Sequence, residues 1–174
     1  MYIEFQKDRK YGFIDPESKK TIPAKYDNVC AFRNGYAIVK DNKWGIIDEN
    51  DTVIIPFAYD LISWTENNVY AVSKCGHRGF IDLAGKYVDA QGSALPDTLQ
   101  SYDFAAQLMD NFYVVEKTGL FGVAGKDGVV LRCLYDAIER FAGKYLCITK
   151  GSDCALYESD KEIIPFGYHT FKLT

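Results

Sequence analysis

The amino-acid sequence predicts an all-β protein built from five tandem four-stranded β-hairpin repeats of roughly 33 residues each. Three observations carry that prediction. A Tyr-Asp pair recurs as Tyr26-Asp27, Tyr59-Asp60, Tyr102-Asp103 and Tyr135-Asp136, and then as Tyr168-His169, in steps of 33, 43, 33 and 33. A glycine column, Gly12, Gly45, Gly79 and Gly122, ends at Ala155 and stretches at the same place. A lysine column, Lys7, Lys40, Lys74, Lys117 and Lys150, stands five residues ahead of it. Self-similarity at a fixed period is the signature of a repeat architecture. One insertion over residues 89–100 accounts for the longer third step. The repeats therefore span about 8–40, 41–74, 75–117, 118–150 and 151–174, the last completed by residues 1–7, within a single domain of 1–174.

Each repeat reads as four short strands; in the second they are predicted at 44–48, 52–56, 59–63 and 70–74, joined by Asn/Asp/Gly punctuation that suits hairpins. No stretch holds a helical period, and the insertion has room for about one helical turn. Strand alternation sorts the fourth strand into two faces. Tyr36, Tyr70, Tyr113, Leu146 and Ile3, with Ile38, Val72, Val115, Ile148 and Phe5, are expected toward the core. Glu4, Ala37 and Ala71, with Gln6, Ser73, Glu116 and Thr149, are expected on the wetter face. Residues 3–7 read as a fourth strand without its first three, and the fifth repeat is expected to end after its third. A closed propeller-like ring would join the two and remove sheet edges; an open β-solenoid is the alternative.

These residues resemble a known family. Trp44-Gly45-Ile46-Ile47-Asp48, then Val53-Ile54-Ile55-Pro56 and Tyr59-Asp60, is similar to the bacterial WG (KWG) repeat. The first repeat follows with Tyr11-Gly12-Phe13-Ile14-Asp15, Pro23, Tyr26-Asp27 and Phe32. The resemblance runs over nearly the whole chain. The fourth repeat departs from it with Gly125 in place of Asp, and the fifth with Ala155 and Glu158 for Gly and Asp; Trp is kept only in the second. It implies a recognition or scaffold domain in place of a catalyst.

Composition narrows the function further. The 174 residues carry a formal net charge of −4 and 15% aromatic side chains. Phosphate contacts need a basic footprint, so nucleic acid is not an expected partner. Neither a signal-peptide layout nor an apolar run long enough to cross a membrane is present in the sequence. The expectation is a cytoplasmic monomer with no membrane attachment. Five cysteines with no C-x-x-C spacing read as free thiols, and no metal or cofactor is expected.

The repeated residues are expected to build the frame. An Asp after Tyr can accept backbone N–H bonds in a turn, and glycine inside a strand marks a close approach of neighbouring backbone. The lysines are expected to lay their stems on apolar surface with the ammonium near water or an Asp. His77 and His169, the only histidines, have no triad or metal-ligand spacing, so no catalytic residue is assigned and a hydrolase is the least favoured reading. The leading expectation is a non-enzymatic scaffold that binds another protein through residues peculiar to single repeats: Trp64, His77, Arg78, Gln91, Asp97 and Gln100. A carbohydrate- or anion-binding repeat protein, or an immunity or antitoxin-like partner of a bacterial effector, is the alternative.

Overall fold

A computed structural model describes residues 1–66, 68–109, 111–158 and 160–172. Nineteen strands and a single 3₁₀ turn, Asp97–Leu99, make up the described secondary structure. The strands form five antiparallel sheets in chain order. The first has three strands, β1 (Ile3–Lys7), β2 (Lys10–Ile14) and β3 (Thr21–Tyr26). The second holds β4 (Asn28–Val29), β5 (Tyr36–Asp41), β6 (Lys43–Asp48) and β7 (Val53–Tyr59). In the third lie β8 (Leu61–Trp64), β9 (Tyr70–Lys74), β10 (His77–Ile81) and β11 (Tyr87–Val88). The fourth contains β12 (Phe104–Met109), β13 (Phe112–Lys117), β14 (Leu120–Gly125) and β15 (Gly128–Tyr135), and the fifth β16 (Ala137–Phe141), β17 (Tyr145–Lys150), β18 (Asp153–Glu158) and β19 (Lys161–Tyr168). Two compact units divide them, Met1–Ser93 with the first three sheets and Ala94–Thr174 with the last two.

The sheets are out of phase with the sequence repeats. Each four-stranded sheet takes the last two strands of one repeat and the first two of the next. The N-terminal strand β1 accordingly pairs with β2, from Ile3 opposite Ile14 to Lys7 opposite Lys10. In the last repeat β19 ends at Tyr168, and the third strand expected there is not formed over His169–Lys172; Leu173 and Thr174 lie outside the described residues. Strand bounds shift as well. The second strand of repeat two runs through Pro56 to Tyr59, so Tyr59 closes β7 and does not open β8.

The reason is a bulge. Opposite Gly12, three residues of β3 (Pro23, Ala24, Lys25) lie between the pairs Tyr11–Tyr26 and Phe13–Ile22. The same three-residue bulge recurs opposite Gly45, Gly122 and Ala155. Its first residue is Pro23, Pro56, Arg132 or Pro165. All four bulged strands are outer strands of their sheets, where a residue without N–H is tolerated and discourages further pairing.

The expected split of the fourth strand into a dry and a wet face holds for Tyr70, Val72, Val115, Leu146 and Ile148, which are buried, and for Glu4 and Gln6, which are exposed, but it fails at three positions. Ala37, placed on the wetter face, is 0% exposed, and Glu116 is buried; Ile3, placed toward the core, is 45% exposed. Two physical causes act. The second sheet is covered on both sides within its unit. Ala37, Val39 and Ile47 pack on Phe13, Ile22 and Tyr26 of the first sheet, while β6 and β7 touch β8 and β9 of the third. The hairpin at Asn42 also shifts its register by one residue: Val39, not Ile38, stands opposite Gly45, where Phe5, Val72 and Val115 face Gly12, Gly79 and Gly122. A one-residue slip exchanges the faces of a strand.

Candidate functional site

The Tyr-Asp column turns out to be a clamp on the next hairpin. Asp27 donates its own backbone N–H to Lys40 O at 2.7 Å, and its carboxylate Oδ2 accepts the N–H of Asn42 at 2.8 Å. Asp60 does the same with Ser73 O (2.8 Å) and the N–H of Cys75 (2.6 Å). Asp103 takes Glu116 O (2.9 Å) and the N–H of Thr118 (2.8 Å), and Asp136 takes Thr149 O (2.9 Å) and the N–H of Gly151 (2.6 Å). Each aspartate therefore fixes the turn between the two central strands of its sheet, the role expected of it.

Lysines complete the clamp, in the first two repeats from a column the sequence reading did not single out. Lys10 Nζ lies 2.6 Å from Asp27 Oδ1, and Lys43 pairs with Asp60. Both stand two residues before the glycine; of the five-before column, Lys117 reaches its aspartate, Asp103 Oδ1, at 3.1 Å. The N–H of Asn42 and then the Lys10 ammonium hold the Asp27 carboxyl below the usual range. The Lys43 ammonium does so first at Asp60, with the N–H of Cys75 behind it. In the fifth repeat the pair is inverted. His169 stands in the aspartate column and Asp153 in the Lys10 column, with Nδ1 3.8 Å from Oδ1. His169 Nδ1 also lies 3.1 Å from Ser152 O. Exchange of the acidic and basic residues between the two columns is a sign in the sequence that would have revealed the Lys10–Asp27 contact.

A second aspartate column holds the first hairpin of the second and third repeats. Asp48 Oδ1 accepts the N–H groups of Asn50 and Thr52 at 2.8 and 2.9 Å, and Asp82 Oδ1 those of Ala84 and Lys86 at 2.8 and 2.9 Å. The insertion opens with one more such turn: Asp89 Oδ1 accepts from Gln91 and Ser93 at 2.9 and 2.8 Å. Its first five residues thus repeat the Asp82 turn seven positions on. Gly125 removes this aspartate from the fourth repeat, and a two-residue turn, Lys126-Asp127, joins β14 to β15 directly, with Gly125 opposite Gly128.

The six candidate interaction residues are divided between the two units, four in the first and two in the second. Trp64 ends β8 opposite Tyr70, which faces Ile81. Its ring lies 5.2 Å from that of Tyr70, with the Arg33 guanidinium 5.4 Å from it. His77 and Arg78 begin β10 opposite Lys74 and Ser73, at the other end of the same sheet. Gln91 is exposed in the Asp89 turn. Asp97 and Gln100 belong to the other unit. Asp97 O accepts the backbone N–H of Gln100, whose side chain donates to Leu95 O at 3.3 Å.

Two clefts were missed. One, of about 470 Å³, is lined by Tyr2, Phe32, Asp15, Lys20, Asn34 and Glu49, with the Tyr2 and Phe32 rings stacked at 4.5 Å. The other, of about 350 Å³, lies beside the Lys126-Asp127 turn and is lined by Asn111, Phe112, Val129 and Val130. No single repeat column predicts either, because both form from residues that differ between repeats. All five cysteines are free thiols. Among the described residues no three His, Cys, Asp or Glu side chains gather as a metal site, and no helix is long and apolar enough to cross a membrane.

Fold and clamps together define a tandem β-repeat protein in which each sheet is shared between neighbouring repeats. Two adjacent segments, residues 11–43 and 44–76, match the family of the WG containing repeat. No curated protein matches the sequence. Among solved structures, a protein of unknown function from Bacteroides caccae is similar at 12% identity and a TM-score of 0.33, over 91% of this chain and 69% of that one. KlHsv2 with loop 6CD replaced by a Gly-Ser linker is similar at 9% identity and a TM-score of 0.31, over 94% of this chain and 60% of that one.

Proposed function

We propose that this protein is a non-enzymatic scaffold that binds another protein. One observation carries the reading. The repeated aspartates are engaged in holding turns of their own frame, as the bond from the Cys75 N–H to Asp60 at 2.6 Å illustrates. Residues used that way are not free to form a set of equal ligand sites. Variation between repeats is then left to surface groups such as Trp64, Arg78, Gln91 and Asp97 and to the insertion, and repeat folds recognise partners through such variable groups on a rigid frame. The setting proposed with this reading is a monomer in the bacterial cytoplasm, without nucleic acid or membrane as partner. For the finer architecture we propose a closed propeller-like ring over an open solenoid. The first sheet has three strands where the others have four, and His169 follows Tyr168 in the phase of the missing strand.

A pull-down from lysate of the source organism tests the reading, with the intact chain beside a version whose residues 89–100 are replaced by a short Gly-Ser link. Retention of one protein at near-equal stoichiometry by the intact chain, lost on shortening, is the expected result. If the intact chain retains no protein, the scaffold reading fails. The cleft between Tyr2, Phe32, Asp15 and Lys20 favours a second reading, a small polar ligand such as a sugar, because it sets aromatic faces beside hydrogen-bonding groups.

A further inference from the structure

The last strand of each sheet is an outer strand whose ladder groups invite a further strand, and four of these five are blunted. Strands β3, β7 and β19 carry Pro23, Pro56 and Pro165 at the first bulge position, and β11 is only two residues long. Strand β15 is the exception. It is eight residues long, Gly-Val-Val-Leu-Arg-Cys-Leu-Tyr, with no proline, and Arg132 stands where the three prolines stand. Because the same position is proline in three other sheets, the fold itself does not require an N–H there. Arg132 thus adds a backbone donor to an edge that elsewhere lacks one.

The side chains of this edge agree with its backbone. Val129 is 60% exposed and Leu134 is 51% exposed, and Arg132 is exposed between them. The direct Lys126-Asp127 turn pairs Gly125 with Gly128 and Ala124 with Val129; Val130 is then an extra residue before Leu131 meets Val123, ahead of the three-residue bulge. At its start lies the cleft of about 350 Å³ formed by Phe112, Val129 and Val130 with Lys126 and Asp127. An extended chain laid along 128–132 would set an apolar side chain in that cleft and another residue beside the Arg132 guanidinium.

We infer that the outer edge of β15 is a strand-addition site for an extended segment of a partner polypeptide, apolar at alternate positions and carrying a carboxylate beside Arg132. Main-chain bonds supply the affinity in such additions and alternate side chains the selection; a guanidinium selects a carboxylate by paired, charge-assisted bonds. This assignment deepens the scaffold reading and rests on it.

The test uses the whole chain and a synthetic peptide of alternating Val and Ser with one central Glu. Saturating peptide should slow amide exchange over 128–132 by about tenfold, the mark of newly paired ladder groups. Peptide with Lys in place of Glu, or methylated on alternate backbone nitrogens, should bind about tenfold more weakly. Arg132→Pro restores the residue of the other three edges, so it should keep the thermal midpoint and lose binding. Arg132→Glu keeps the N–H and should prefer the Lys peptide. Unchanged exchange over 128–132, or equal binding by Arg132→Pro, overturns the assignment. So does a dimer of the free chain that Arg132→Pro converts to a monomer, since a second copy then fills the edge. If Arg132→Pro still retains the lysate protein and the chain without 89–100 does not, the edge assignment fails while the scaffold reading stands.

Discussion

Gly12→Val is expected to lower the unfolding free energy by about 3 kcal/mol, the upper part of the range for forcing atoms into a packed interior. A Cβ at Gly12 would sit 2.7 Å from Ala24 N and closer still to Ile22 O, both backbone atoms of the bulge. Backbone held on both sides by ladder pairs cannot swing aside as a side-chain tip can, so the bulge itself has to open. At Gly122 a Cβ would meet Leu131 O at 2.5 Å and Cys133 N at 2.8 Å, so the pressure recurs in the fourth repeat, whereas the fifth bulge faces Ala155 and accommodates its Cβ. Gly125→Ala is the control: its Cβ would lie 3.6 Å from Val130 Cγ2, ordinary contact. That change should raise stability by about 0.5 kcal/mol through the unfolded chain. Urea denaturation of the three proteins checks both signs. Equal stability of Gly12→Val and the parent would contradict the bulge as the reason for the glycine column.

Ala37→Asp should cost about 4 kcal/mol, the scale of a buried charge without a partner. Ala37 is 0% exposed and lies among Phe13, Ile22 and Ile47, none of which offers a hydrogen bond to a carboxylate. Thermal and urea melts measure the loss. Glu4, which alternation of the strand places in the same column, is exposed, and Glu4→Ala should change stability by less than about 0.5 kcal/mol. A near-neutral Ala37→Asp would mean that the second sheet has one wet face after all.

That contrast shows where the sequence was legible. Periodicity gave the all-β class, the five-fold repetition and the frame role of Asp27, Asp60, Asp103 and Asp136, because each depends on contacts that recur at one spacing. It did not give the faces of β5. A one-residue shift at Asn42 leaves the spacing between Lys40 and Gly45 the same as that between Lys7 and Gly12. Nor did alternation alone reveal that the second sheet is covered on both sides, since burial of Ala37 depends on Phe13 and Ile22 from another sheet. The phase of the sheets was hidden for a similar reason: a tandem sequence has no privileged starting point, and pairing of β7 with β6, not the order of columns, decides where a sheet ends. Lys10 and Lys43 escaped notice because the column holds lysine in only the first two repeats, followed by His77, Leu120 and Asp153. The β15 edge was legible in part. Arg132 stands in the sequence where Pro23, Pro56 and Pro165 stand, but its meaning needed the outer position of the strand and the exposure of Val129.

Amide hydrogen exchange on Asp60→Ala tests the central claim, that the repeated aspartates hold the frame. The account predicts a loss of protection at Cys75 and its neighbours in the β9–β10 turn, together with a lower thermal midpoint and a stability loss of about 1 kcal/mol, as expected when a capping carboxylate is removed from a solvent-facing turn. Unchanged exchange and midpoint, with loss of a bound protein or ligand, would contradict it and make the Tyr-Asp column a recognition site.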